Sequence, residues 1–208
     1  MIDAALVLLR NELAYFIRND KGEAGIEVDL RNIALLETEK DEPLKDKIIL
    51  SLVNIEEEST LKNSLPYVPG LGGGYEYRSP PIHLNLYVLI TSNLNEGGET
   101  ATTNSYIKSL RGLSHVIEFF QYRTGFTLAN SLNVNGIPNR DNTLNELKLF
   151  ADLYTLTFEQ INHLWGSLGG RQIPFAMYKI RLVSVQNRNV GQDIPLIEEI
   201  QSQVRKMN

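Results

Sequence analysis

Apolar residues return along the first segment at spacings of 4, 3, 4 and 3, through Ile2, Leu6, Leu9, Leu13 and Phe16. That rhythm follows the helical turn and predicts a helix with one buried stripe. Asp3 suits the positive end of its dipole, and Asn19-Asp20-Lys21-Gly22 supplies a stop. Arg10, Asn11, Glu12 and Arg18 are expected to face water. The period then falls to two. Ile26, Val28 and Leu30 alternate with Glu27, Asp29 and Arg31, the mark of a strand with one wet face. Glu37 to Lys47 is charged, holds Pro43 and reads as a loop. Ile48-Ile49-Leu50-Ser51-Leu52-Val53-Asn54-Ile55 is dense enough for a strand covered on both faces, ended by Glu56-Glu57-Glu58.

Residues 63–81 carry four Pro and four Gly and read as an irregular, mobile loop. Strict alternation resumes at Ile82, Leu84, Leu86, Val88 and Ile90, the clearest strand of the chain. A polar loop follows from Ser92 to Thr103. The next helix starts near Thr103 or Asn104, with Tyr106, Leu110, Leu113, Ile117 and Phe120 as its stripe and Gly112 implying a close packing contact. Gly125 and a polar run through Asp141 separate it from Glu146 to Leu156, read as a strand although a short helix fits nearly as well. Thr157 and Gln160 have capping-box spacing before Ile161, Leu164, Trp165 and Leu168, and Gly169-Gly170 close that third helix. Ala176, Tyr178, Ile180 and Leu182 then alternate with Met177, Lys179 and Arg181, a long strand with a basic outer face. Asp193 and Pro195 open a short terminal helix.

The sum is α+β: a mixed or antiparallel sheet of about five strands with about three helices, most simply packed on one sheet face. Residues 1–187 form the expected domain and 188–208 a short C-terminal arm. The length of 208 residues fits one such domain. With no Cys, disulfides and thiol chemistry are excluded. A net charge of −5 disfavours general binding to nucleic acid or to anionic membrane. No apolar run approaches the ~20 residues of a membrane span, so a soluble chain without membrane insertion is expected.

Reactive chemistry finds little support in the pattern. His83, His115 and His163 fall on three separate elements, none at metal-ligand spacing. Ser114 and His115 are helical neighbours about 100° apart and cannot pair as nucleophile and base. The glycines at 70–74 lack the Lys-Ser/Thr of a phosphate loop, and Pro-rich sequence replaces the strand and helix of a dinucleotide fingerprint. The acidic runs Glu37-Glu39-Asp41-Glu42 and Glu56-Glu57-Glu58 match no calcium loop. No catalytic residue, metal site or cofactor is therefore expected. The features left over belong to a surface. Tyr67, Tyr75, Tyr77 and Arg78 are contact-prone residue types on a loop, and the arm has too few apolar anchors to stand alone.

Several segments in order carry a resemblance. Met1-Ile2-Asp3-Ala4 through Leu13, Ile48 through Glu58, Pro81 through Ile90 and Leu113 through Gln121 are similar to segments of the cap proteins of extracellular contractile injection systems. So is Glu159 through Gly170 with its continuation Ile173-Pro174-Phe175-Ala176-Met177-Tyr178-Lys179-Ile180-Arg181. The resemblance covers roughly residues 2–187. It implies a phage tail-terminator-like fold and a structural, non-enzymatic role: a homohexameric ring, made in the bacterial cytoplasm, that closes the inner tube and contacts the last layer of contractile sheath. Some relatives continue beyond this domain, which leaves the short arm as the sheath-facing candidate here. Exposure and charge then give a contact map. Tyr67, Tyr75, Tyr77 and Arg78, with loop 92–103, are expected to meet the tube, and the arm from Asn187 and Arg188 the sheath. Lys179 and Arg181, on an exposed strand 173–185, are expected to meet Glu56, Glu57 and Glu58 of the next subunit. A small hydrolase or ligand-binding domain, or a baseplate component, are the alternatives.

Overall fold

In a computed structural model the protein is described over residues 1–35, 46–58, 67–69, 75–77, 82–94, 103–138, 147–169, 172–185 and 193–194. Three helices and nine strands occur among these residues. Helix α1 (Ile2–Tyr15) runs into a wider π-helical turn (Phe16–Asp20) that stops at Gly22, whose φ of 71° suits a residue without Cβ. Strands β1 (Glu27–Leu30), β2 (Lys47–Glu57), β5 (Ile82–Asn93), β6 (Gly125–Thr127), β7 (Lys148–Leu153) and β8 (Phe175–Val185) form the main sheet, in the order β1-β2-β5-β8-β7-β6. Only β1 and β2 run parallel; every other pair is antiparallel. A second, three-stranded sheet joins β3 (Tyr67–Pro69), β4 (Tyr75–Tyr77) and β9 (Asp193–Ile194). Helices α2 (Thr103–Tyr122) and α3 (Phe158–Ser167) complete the chain.

The helices do not share one face, contrary to the simplest expectation. Leu6, Leu9 and Leu13 of α1 and Val116, Phe119 and Phe120 of α2 pack on Ile48, Leu50, Leu86, Val88, Ile90 and Tyr178. The alternate residues Ile49, Leu89 and Met177 point the other way, to Trp165 and Leu164 of α3. Burial holds Tyr178 at a pKa of about 12, so its hydroxyl stays protonated. Strand pairing puts both layers within reach of the same central strands. β2 is covered on both faces only through Ser51; from Leu52 it is exposed and continues through Glu57 as the outer strand of a β2–β5 ribbon whose other side is edged by β8. A bulge between Leu52 and Asn54 marks the change. The glutamates therefore extend the strand instead of ending it.

Three strands arise inside segments read as irregular, β3 and β4 within 63–81 and β6 at Gly125–Thr127. The charged loop at 36–45, most of loop 92–103 and the terminal helix from Pro195 lie outside the described residues. The third helix follows its signature. Thr157 Oγ1 accepts from Gln160 N (3.3 Å), Gln160 Oε1 accepts from Thr157 N (2.9 Å), and Gly169 turns the chain at φ 104°.

Helix α2 is rotated from its expected setting. Its inward face is Ser105, Ser109, Gly112, Val116 and Phe119, joined by Leu113 and Phe120 of the expected stripe, whereas Tyr106, Leu110 and Ile117 point to solvent. Small residues bring the helix onto the strand ends: Ser109 Oγ donates to Leu94 O and accepts from Leu94 N, both at 3.0 Å. A Cβ on Gly112 would stand 2.8 Å from Leu94 Cδ1 and 2.8 Å from Ser92 Oγ. Gly112→Val is therefore expected to lower the unfolding free energy by about 3 kcal/mol through overpacking. Gly112→Ala should lose less, since better helix propensity returns about 1 kcal/mol. Urea midpoints of the two variants check the ranking.

Polar groups bind the layers at their ends. Asp29 receives Arg31 Nε at 2.9 Å and Lys47 Nζ at 3.6 Å beside the β1–β2 pair. Burial opposes its charge, but these cations and the Leu30 amide hold its carboxyl below the usual range. Asn11 and Glu12, expected in water, are buried instead. Glu12 Oε1 accepts from the amides of Leu132 and Asn133 (both 2.8 Å), and Oε2 meets Arg123 Nη1. Asn11 donates to Asn135 O at 2.7 Å.

Candidate functional site

The two contact features read from the sequence converge. β3 and β4 stand in register with Tyr67 opposite Tyr77 and Pro69 opposite Tyr75, and β9 adds to β4 with Ile194 opposite Tyr75 and Asp193 opposite Glu76. The tyrosine-bearing segment and the C-terminal arm thus meet in one small sheet. Arg78, Asn187 and Arg188 lie outside the described residues.

Glu56, Lys179 and Arg181 are brought together on the α3-side face of the main sheet. Register aligns Glu56 with Asn85 and Arg181, and Asn54 with Tyr87 and Lys179. Glu56 Oε2 accepts from the Tyr87 hydroxyl at 2.8 Å, and Glu58 Oε2 accepts from Asn85 Nδ2 at 3.0 Å. Arg181 is paired inside the chain, with Asp152 Oδ2 at 2.9 Å, and its guanidinium lies 5.8 Å from the centre of the Phe150 ring. Glu57 stands opposite Leu84 and so belongs to the other face. The strand carrying Lys179 and Arg181 is not exposed as a sheet edge: β8 is hydrogen-bonded to β5 and β7 on its two sides. Backbone pairing with a neighbour cannot use it; only its face remains open.

A shallow cleft of about 200 Å³ opens on this face between β2, β5 and α3, lined by Val53, Glu56, Tyr87, Tyr154 and Gln160. The Tyr87 and Tyr154 rings meet edge to face at 5.0 Å. The hydrogen bond to Glu56, with burial, pushes the Tyr87 phenol up to about 12, so it holds its proton and serves as a fixed donor. No histidine lines the cleft. His83 is half-buried on β5, His115 Nδ1 lies 3.9 Å from Glu118 on α2, and His163 Nε2 lies 3.8 Å from Glu159 on exposed α3. Ser114 gives its proton to Leu110 O on its own helix at 2.9 Å. Among the described residues, no group of three metal-ligating side chains is assembled, and no helix is long and apolar enough to cross a membrane.

Sequence reasoning missed two exposed apolar surfaces among the described residues. On α2 the outward stripe is Tyr106, Ile107, Leu110 and Ile117, with Tyr106 59% exposed. At the far end of the β2–β5 ribbon Leu52, Val53, Ile55 and Ile82 are exposed, Ile82 by 48%. The 4-3-4 spacing of α2 held the first signal, but it gives a face without saying whether that face turns inward. Monomers rarely leave contiguous apolar area of this kind uncovered unless it binds something.

The described residues thus form an α+β module with two exposed apolar surfaces and a small second sheet. The chain belongs to the Pvc16 N-terminal domain family, whose model matches residues 5–199. Two solved structures share its fold. One is the PVC sheath/tube terminator of an extracellular contractile injection system in the extended state, with TM-score 0.58 and 13% identity over 100% of this chain and 64% of that one. The other is the tube-terminating cap of the anti-feeding prophage, with TM-score 0.56 and 14% identity over 94% of this chain and 60% of that one. The chain thus spans less than two thirds of either structure's length. No protein of curated function matches it in sequence.

Proposed function

We propose that this chain acts as the cap of a contractile injection particle, a ring of six copies that ends the inner tube and contacts the last sheath layer. The observation that carries this reading is the match of 100% of the chain to a sheath/tube terminator and of 94% to a tube-terminating cap. The surface is consistent with it. A closed ring needs two different patches per subunit, and the chain exposes an apolar helix face and an apolar ribbon tip. The small sheet of β3, β4 and β9 offers the contact surface for tube and sheath, with Tyr67, Tyr75 and Tyr77 on the tube side and the arm, including Asn187 and Arg188, on the sheath side. The role requires no catalytic step and no cofactor, and places the chain at one end of the particle.

Light scattering after size exclusion is expected to give six times the 23.5 kDa chain mass. Particles assembled without the chain are expected, under electron microscopy, to have irregular lengths and open ends. Particles of normal length with intact ends would overturn the reading.

A further inference from the structure

We propose that neighbouring copies join by laying the outer face of α2 of one subunit on the uncovered tip of the β2–β5 ribbon of the next. The proposal rests on the cap reading and names the two surfaces that build its ring. The first surface is the stripe Tyr106, Ile107, Leu110 and Ile117, exposed by 59, 49, 41 and 40%. α2 already buries its opposite side on the sheet, so the stripe is a second apolar face on one helix. The second surface continues the sheet face that α1 and α2 cover in the core. Register places Leu52 opposite Val88 and Ile55 opposite Leu86 on that face, where Val88 and Leu86 are buried. Ile82 and Leu84 follow by the strand's alternation. The described helices of the chain leave this end of the sheet open: Leu52, Ile55 and Ile82 are exposed.

A helix lacking a sheet and a sheet end lacking a helix are complementary halves of the layer packing that builds the subunit itself. Their charges are complementary too. From Thr103 to Ile117 the helix carries Lys108 and Arg111 and no acid, whereas Leu52 to Glu58 carries three glutamates and no base. Arg111 is exposed, and its Nη1 lies 3.8 Å from Glu23 Oε1. Glu57 stands on the apolar face, opposite Leu84, where an arriving Arg111 can meet it. The two surfaces lie on different elements, so each copy gives one and receives the other, and the contact is heterologous, as a ring requires. A stable contact needs about 800 Å² per partner, which the stripe, the tip and their charged rims would share.

The chain has no cysteine, which makes cross-linking specific. In the full 208-residue chain, Leu110→Cys and Ile55→Cys together, treated with a short bismaleimide, are expected to give a ladder of adducts ending at six chains. Either single variant should give no ladder. Arg111→Glu should abolish the hexamer in light scattering, and Glu57→Arg added to it should restore the hexamer. Hexamers without Leu110–Ile55 adducts would overturn this interface and leave the cap reading standing. Adducts that stop at two chains would overturn the head-to-tail arrangement. Monomers without adducts would likewise overturn this interface, the cap reading being decided by the particle ends.

Discussion

Glu12→Ala is expected to cost about 3–5 kcal/mol of folding stability, the range for removing one partner of a buried, hydrogen-bonded ion pair. For a chain of this length that corresponds to a Tm lower by on the order of 10 °C. The side chain of Glu12 is 2% exposed, and its carboxylate accepts from the Leu132 and Asn133 amides and from Arg123. Alanine would remove the acceptor of all three donors, two of them backbone amides. Arg123 would keep its bonds to Asn130 O and Oδ1, both 2.6 Å. The reverse change, Arg123→Gln, leaves the two amide bonds to Glu12 in place and should cost less. Thermal unfolding of the two variants tests the order, and equal losses would show that the ion pair alone matters.

Glu12 also shows where sequence legibility ends. Its own helix fixes the position's angular setting, and there Asn11 and Glu12 look like an ordinary wet face. What buries them is the chain returning at Leu132–Asn135, about 120 residues later, and no local period carries that information. Elements whose signals are local were legible. The alternation at Ile82–Ile90 became β5, and the Thr157–Gln160 box opens α3 as its spacing requires. Strands of three residues were not, because β3, β4 and β6 are too short to show a period and exist through their partners. The stripe of α2 was visible, but its direction was not. Ser105, Ser109 and Gly112 face the core because small side chains let the helix approach Ser92 and Leu94, which left Tyr106, Leu110 and Ile117 outside while Leu113 and Phe120 of the same stripe pack inward. The same inversion affects the candidate site. The tyrosines and the arm were singled out separately, and only the pairing of β4 with β9 unites them. Lys179 and Arg181 were singled out for the basic outer face of their strand, and the pairing of that strand with β5 and β7 leaves this face, not a backbone edge, for contact.

Phe126→Ala is the second large loss expected, about 3–5 kcal/mol, as for deletion of a fully buried aromatic ring. Phe126 is 0% exposed although it sits on the three-residue strand β6. Its ring centre lies 5.5 Å from that of Phe119 and 5.9 Å from that of Phe120, so it anchors the end of α2 to the sheet edge. The Arg123 guanidinium lies 4.9 Å from the same ring, with its other side on Glu12. That geometry makes the two predictions interdependent. Removing the ring loosens the arginine that Glu12 needs, and removing Glu12 frees the arginine from the ring. The double variant Glu12→Ala/Phe126→Ala should therefore lose less than the sum of the single losses, by more than the ~0.5 kcal/mol scatter of independent sites. Strict additivity in urea unfolding would mean that Arg123 does not couple α1 to β6, and that the two ends of the core are held separately.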